Sequence, residues 1–245
     1  MIRPVVVIKN FAHEGPGLFG QVMQKHNIPY EVIDLNAGDR WPDQKNISGL
    51  LVMGGPDSAN DETEKMQTEL QKIREAVNAN IPYLGVCLGL QTLVKAMGGS
   101  VRRNNVREIG CIDADNKPFT VELTADGKID PLLNGLPFSI PIFHLHGETV
   151  DLIPTMTLLA VGLWCKNQIV RVTKTAYGIQ GHWDMNDETL RVLKENDPDL
   201  KAMSPETLER EWQMIKNTSM EAGRCLFENF LMIAGLRGQT ENVVT

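Results

Sequence analysis

Leu84-Gly85-Val86-Cys87-Leu88-Gly89-Leu90-Gln91 decides how this chain folds. The octet closes an apolar run that begins at Ile81 and opens an apolar, helix-like stretch that ends near Met97. Cys87 therefore falls on a sharp strand-to-helix turn, the cysteine form of the nucleophile elbow. Gly85 and Gly89 remove side chains that would collide in so tight a turn, and the turn lifts the thiol above the sheet. A helix N-terminus favours a thiolate over a thiol, and the first helical amide, at Leu88, points to where an oxyanion would form. The competing reading is an inert buried cysteine flanked by glycines by chance, since free Cys is commonly buried.

Outward from the elbow the pattern is βαβ. Val5 to Ile8, Tyr30 to Leu35, Gly49 to Met53 and Ile81 to Val86 read as strands. Gly15 to His26, residues 62–79 and Leu88 to Met97 read as helices, the second with Met66, Leu70, Ile73 and Val77 on one face. Such alternation calls for a parallel sheet with helices on both faces. Beyond residue 100 the runs shorten, at Ile109 to Ala114, Phe119 to Leu123, Thr157 to Val161, Ile169 to Thr173 and Ala176 to Gln180, and an antiparallel extension of the same sheet is expected. A helical extension spans about 186–235. Its last helix is capped by Ser204 with Pro205 at the first turn, and Gly223 is a candidate bend. Residues 236–245 read as a flexible tail. The fold expected is α/β: one three-layer α/β/α sandwich over residues 1–235, with a mostly parallel central sheet and the site at the strands' C-terminal ends.

Bulk properties exclude several classes. The 245 residues carry a net charge of −7, which argues against a nucleic-acid surface. The start of the chain reads as a first strand rather than a signal peptide, and no apolar run reaches membrane-spanning length. A cytoplasmic location is expected, with the sequons at Asn46 and Asn217 idle. The four cysteines show no C-x-x-C spacing, so neither a disulfide framework nor a zinc knuckle is indicated.

A cysteine nucleophile needs a base, and the base an orienter. Of the five histidines, His182 is the best candidate. It follows the strand-like run Tyr177-Gly178-Ile179-Gln180-Gly181, and Asp184 stands two residues on, on the same side of an extended chain. A solvent-exposed His-Trp-Asp turn is the competing reading.

Taken together, Gly54-Gly55-Pro56, Gly85-Val86-Cys87-Leu88-Gly89-Leu90-Gln91, His146-Gly147-Glu148 before an apolar run, and Gly178-Ile179-Gln180-Gly181-His182-Trp183-Asp184 resemble the class I (triad) glutamine amidotransferase family. Order and spacing agree over roughly residues 1–185, and the long C-terminal extension is similar to that of stand-alone members such as γ-glutamyl peptidases. The resemblance implies the flavodoxin-like fold of that family and a cysteine hydrolase of γ-glutamyl amide bonds. It implies Cys87, His182 and Asp184 as catalytic triad, the amides of Gly55 and Leu88 as oxyanion hole, and Gln91, His146, Gly147 and Glu148 as substrate-binding positions. It implies a small-molecule substrate, glutamine or a γ-glutamyl compound. A separate synthase subunit is an expected partner, no nucleic acid or membrane is involved, and no metal, nucleotide or flavin cofactor is called for.

Two departures stand out. The family's Pro-Glu after the histidine is Trp183-Asp184, one methylene shorter at the carboxylate, and Glu108-Ile109-Gly110 leads into Cys111 where the family prefers Trp. The first departure motivates an alternative of another class, a catalytically weak relative that binds a ligand or partner and regulates it. A dienelactone-hydrolase-like enzyme is a third reading, disfavoured by Gly54-Gly55-Pro56 and Gln91. Other signals point to structure. Met53-Gly54-Gly55-Pro56-Asp57-Ser58 lacks the leading Ser of a pyrophosphate loop, and Pro56 removes a phosphate-binding amide. His144-Leu145-His146 has no third metal ligand nearby in sequence. The acidic stretch 184–199 reads as a solvated loop, His13-Glu14 as a loop that could shape the pocket, and 10–17, 102–108 and 144–150 as the pocket's loops.

Overall fold

β1 (Val5–Lys9) is apolar on both faces because it lies inside a parallel sheet with helices above and below. Val5 and Val7 face α1 (Gly17–Lys25), while Val6 and Ile8 face the opposite layer. β2 (Tyr30–Asp34) and β3 (Gly49–Val52) pair parallel on either side of β1. α2 (Glu64–Asn78) starts at Thr63, whose hydroxyl accepts the Met66 amide, and buries Met66, Ile73 and Val77 as its periodicity predicts. β4 (Tyr83–Val86) then leads through Cys87 into α3 (Leu88–Ala96). The computed structural model describes residues 3–13 and 15–237.

The chain continues through β5 (Ser100–Gly110), β6 (Thr120–Leu123), β7 (Ser139–Pro141), β8 (His144–Asp151), β9 (Thr157–Gly162), β10 (Ile169–Arg171) and β11 (Ala176–Ile179). The main sheet has the order β2-β1-β3-β4-β11-β10-β9-β6-β7. It is parallel from β2 to β11, and β10, β9, β6 and β7 form the antiparallel extension. Three helices close the chain: α4 (Asp187–Asn196), α5 (Pro198–Lys201) and α6 (Pro205–Ile233), the last capped by Ser204 as expected. α1 and α6 cover one face, where Phe19 and Phe227 stack at 4.4 Å, and α2 and α3 cover the other. Each fully buried Val, Leu, Ile or Phe in these layers contributes about 1.5–3 kcal/mol.

Three expectations need correction. Segments 102–108 and 144–150 are not loops but the paired strands of a separate two-stranded antiparallel sheet, β5 with β8. Most of residues 102–107 are exposed and polar, and the register shifts between Arg103 and Glu108, so no apolar alternation marks the strand. The acidic stretch is not a solvated loop. It forms α4 and α5, with Asn186 and Asp197 as N-caps and Leu190, Leu193 and Leu200 buried against Trp212 and Ile215 of α6. Gly223 serves contact rather than bending: a Cβ there would lie 2.2 Å from the Trp183 carbonyl oxygen, and α6 runs unbroken past it. Of the predicted tail, Leu236 packs on the core and Arg237 pairs with Glu228, while 238–245 and Glu14 lie outside the described residues. Among those residues no helix is long and apolar enough to cross a membrane.

Candidate active site

Cys87 has φ 52° and ψ −105°, a backbone conformation that costs a non-glycine residue of order 1–3 kcal/mol. Its surroundings enforce it. The Cys87 amide donates to Ile179 O of β11 at 2.8 Å, and the Cys87 carbonyl accepts from the amides of Leu90 and Gln91. α3 is pressed onto the sheet: a Cβ on Gly89 would sit 2.1 Å from Val52 O, and one on Gly85 would sit 2.2 Å from Gly89 O. Tyr83 Oη ties the same turn by donating to Gly89 O at 2.8 Å. The thiol that results is 6% exposed and opens on a cavity. Cys87 Sγ donates to Leu145 O at 3.8 Å and accepts from Gln180 Nε2 at 3.6 Å.

His182 stands across from it, its amide fixed on Phe143 O of the segment before β8. His182 Nδ1 lies 3.3 Å from Asp184 Oδ1, and both residues are buried. The shorter carboxylate reaches the ring because its backbone is held from another element: Asp184 O accepts the Leu18 amide of α1 at 2.7 Å. Burial pulls the His182 pKa down. The charge and hydrogen bond of Asp184, with further contributions from Cys87, more than reverse this, and the imidazole is held well above its ordinary value. Trp183, in the family's Pro position, is buried in the core beneath α6.

Gly55 follows β3 and packs on the end of β1, where a Cβ would meet Asn10 Cβ at 2.7 Å and Asn10 O at 3.0 Å. Neither the Gly55 nor the Leu88 amide donates a hydrogen bond among the described residues. Behind Gly55 lies a buried pair, Asn10 Nδ2 donating to Glu69 Oε1 at 3.0 Å. Burial raises the Glu69 carboxyl to about 7; Asn10 and Lys65 oppose that rise and Asp57 adds to it. The signal for this pair was present in the sequence: Glu69 occupies the apolar stripe of α2, three residues from Met66 and four from Ile73.

β8 supplies the opposite wall. His146 Nδ1 donates to Glu148 O at 3.0 Å, and its Nε2 lies 2.9 Å from Glu108 Oε2. Gln91 Nε2 also reaches Glu148 O, at 3.4 Å, while Ser58 Oγ donates to Glu148 Oε2 at 2.9 Å. The third partner for the two histidines, absent from their own stretch of sequence, is thus Glu108 on β5, and one ligand atom from each of Glu108, His144 and His146 lies within 4.8 Å of the others. These are the described residues that could hold a metal ion. His146 Nε2 faces the Glu108 carboxylate, and burial, with the charges of His146 and His182, holds His144 well below the ordinary imidazole value.

The cavity encloses about 390 Å³. Its lining brings together Cys87, His182, Gly55, Gln91, His146, Gly147 and Glu148; Asp184 stands behind His182, and Leu88, outside the lining, is the first residue of α3 next to Cys87. The sequence reading missed the far wall, made of Leu193 from α4, Asp197, and Pro198 and Asp199 from α5, with Arg107 of β5 paired to Asp199. Phe11 closes the side next to Gly55. His13 does not line the cavity but packs edge-on against Phe11, which does, with ring centroids 5.5 Å apart, and it borders a second depression with Pro16 and Tyr30.

The sequence matches the family model for glutamine amidotransferase class-I over residues 20–189. The chain belongs to the class I glutamine amidotransferases. It is 29% identical over 157 residues to the glutamine amidotransferase-like protein YfeJ of Salmonella typhimurium, covering 62% of this chain and 63% of YfeJ. It is 29% identical over 213 residues to the glutamine-hydrolyzing GMP synthase of Cronobacter sakazakii, covering 82% of this chain and 37% of the synthase. The chain therefore spans less than two thirds of the length of these curated relatives. The crystal structure of a glutamine amidotransferase from Methylobacillus flagellatus superposes with a TM-score of 0.84 at 27% identity, covering 98% of each chain. One from Thermotoga maritima gives 0.81 at 26% identity, covering 94% of this chain and 99% of the other. In this amidotransferase, the elements that carry the family's motifs and those that carry the far wall of the cavity meet only in three dimensions.

Proposed function

We propose that the protein hydrolyses γ-glutamyl amide bonds through a Cys87 thioester. The observation that carries this reading is the meeting, in one cavity, of a cysteine on a strained elbow, a histidine with a raised pKa, and Gly55, whose backbone amide, like that of Leu88 beside Cys87, has no partner of its own among the described residues. Cys87 Sγ, having passed its proton to His182, attacks the γ-carbonyl carbon and forms the S–C bond. The carbonyl oxygen becomes an oxyanion between the amides of Gly55 and Leu88, each donor worth about 3 kcal/mol in the transition state. The C–N bond breaks as the departing nitrogen takes a proton from His182. Acylation also removes the Cys87 contribution that helps keep the imidazole protonated. The ring is then freer to accept a proton from water, which attacks the thioester and expels the sulfur. Asp184 orients His182 throughout. Gln91, His146, Gly147 and Glu148 bind the glutamyl end, with the backbone at 147 and 148 receiving its α-carboxylate.

Two substrate classes fit. Free glutamine, with ammonia passed to a separate synthase subunit, is favoured by the likeness to glutamine-hydrolyzing GMP synthase. A γ-glutamyl conjugate is favoured by the far wall from α4 and α5, which gives the cavity room beyond Gln91 and His182. The test is product release from L-glutamine, γ-glutamyl dipeptides and glutathione, with Cys87→Ala as control. Cys87-dependent turnover establishes the hydrolase and selects the class. Ligand-induced stabilisation with neither turnover nor labelling of Cys87 by a glutamine-analogue electrophile supports the regulatory alternative instead.

A further inference from the structure

We propose that Gln180 is a catalytic residue, its carboxamide N–H donating to Cys87 Sγ and stabilising the sulfur in its anionic form. The inference rests on the reading of Cys87 as nucleophile and goes beyond the triad and oxyanion hole. Gln180 is fully buried on the stretch just past β11, its amide fixed on Gln168 O at 2.8 Å, next to the Ile179 carbonyl that anchors the Cys87 amide. Its side chain therefore approaches the sulfur from the strand that holds the elbow, and Nε2 ends 3.6 Å from Sγ.

Which end of a carboxamide faces its neighbour has to be settled by the neighbours. Here a backbone carbonyl settles it. Glu148 O can only accept, so the ring nitrogen of His146 at 3.0 Å must carry a proton, and the Gln91 group at 3.4 Å must be its NH2. That same NH2 lies 3.4 Å from the Gln180 side chain, so the atom of Gln180 facing it must be the acceptor Oε1. The other end of Gln180, the donor, is then turned toward Cys87 Sγ. With the carboxamide reversed, two NH2 groups would face each other in a buried site, at a cost typical of unsatisfied buried donors. The donor on the sulfur is thus set, through two glutamines, by the carbonyl of the wall that receives the glutamyl end of the substrate. A hydrogen bond to the charged form of a group favours that form, and a glutamine supplies it without adding a titrating group. The titratable groups around Sγ are His182, backed by Asp184 and His144, then His146 and Glu108 beyond Gln91, Glu148 on the cavity wall, and Glu69 and Tyr83 behind the elbow.

The test uses the full chain and iodoacetamide, which needs no substrate recognition. The rate of Cys87 alkylation, followed on its own peptide by mass spectrometry, is measured against pH for the wild type, Gln180→Leu and Gln180→Glu. Gln91→Leu is the second arm; it leaves the sulfur contact chemically intact but removes the group that orients it. Folding is checked by circular dichroism, and γ-glutamyl turnover by the panel described above. Loss of a charge-assisted hydrogen bond should raise the alkylation midpoint by about one pH unit in Gln180→Leu. The rise should be larger in Gln180→Glu and smaller, in the same direction, in Gln91→Leu. Unchanged midpoints in all three variants, with a wild type that turns substrate over, would overturn the role of Gln180 and leave the hydrolase reading standing. Shifted midpoints in a wild-type background that hydrolyses nothing would support the Gln180–sulfur contact and overturn the hydrolase reading. If Gln180→Leu does not fold, Gln180→Glu, which keeps the original shape, and Gln91→Leu, which leaves Gln180 itself in place, decide alone.

Discussion

Replacing Glu69 by glutamine is expected to stabilise the protein above neutral pH and to leave it nearly unchanged in mild acid. Glu69 is fully buried on α2 and accepts from Asn10 Nδ2 at 3.0 Å, and burial raises its carboxyl from 4.5 to about 7. An acid whose folded pKa lies above its unfolded one binds a proton more tightly in the folded state. Stability therefore falls as pH rises through the window from 4.5 to about 7. A displacement of that size corresponds to about 3 kcal/mol lost by the wild type across the window. The Glu69→Gln variant has no proton to lose at this position, and its side-chain carbonyl oxygen accepts from Asn10 as before. The charged neighbours, Lys65 and Asp57, pair with each other at 2.6 Å and are common to both proteins. Urea unfolding at a series of pH values from mild acid to mild alkali reads the difference directly. By thermal melts the gap at alkaline pH should be about 6–12 °C. Stability curves of the two proteins that run parallel across the window would refute the reasoning, because they would mean that the carboxyl ionises as easily in the folded chain as in the unfolded one.

Two further substitutions probe the site itself. Asp184→Asn removes the charge that holds His182 above its ordinary value and leaves at most a neutral acceptor, so the imidazolium should deprotonate at lower pH and kcat should fall about a hundredfold or more, read from a pH–rate profile against the wild type. The same change should flatten the wild type's loss of stability above the ordinary imidazole range, since a raised histidine stabilises below its unfolded pKa and ceases to do so as pH passes its folded one. Gly55→Ala places a Cβ 2.7 Å from Asn10 Cβ and 3.0 Å from Asn10 O. The amide must then turn away, and kcat should drop about a hundredfold while iodoacetamide still alkylates Cys87 at the wild-type rate; loss of both together would mean that the elbow, not the oxyanion hole, had been disturbed.

What was legible in the sequence was what the backbone dictates locally. The elbow announces itself because only glycine fits at 85 and 89, where Gly89 O and Val52 O leave no room for a Cβ. β1, β3 and β4 are apolar on both faces because helices cover both faces, and the runs that betray them are continuous. His182 and Asp184 lie two residues apart, so their pairing needed no tertiary information. The parts that escaped depend on distance along the chain. Glu108 and His146 meet only because β5 folds back on β8, and β5 is mostly exposed and polar, so no periodicity marks it. The far wall was hidden by its own charge: acidic residues dominate 187–199, yet Leu190, Leu193 and Leu200 are the ones that pack. Asn10 and Glu69, which support Gly55 from behind, are 59 residues apart and joined by one hydrogen bond.

The departures from the family pattern just after His182, Trp183 and Asp184, share one structural cause. This segment is clamped between helices: Asp184 O accepts the Leu18 amide of α1, and Trp183 O lies where a side chain on Gly223 of α6 would collide with it. Trp183 is buried in the core shared by α1 and α6, so the residue after the histidine serves as an anchor for the terminal helix. With its backbone held at that depth, an aspartate still brings Oδ1 within 3.3 Å of His182 Nδ1. A longer carboxylate would have to find room for another methylene at a fully buried position, where inserted volume typically costs about 1–3 kcal/mol. The shorter acid and the bulky residue before it therefore form a matched pair: the first keeps the histidine oriented, and the second ties the triad to α6, the same helix whose Trp212 and Ile215 support α4 and α5 at the mouth of the cavity.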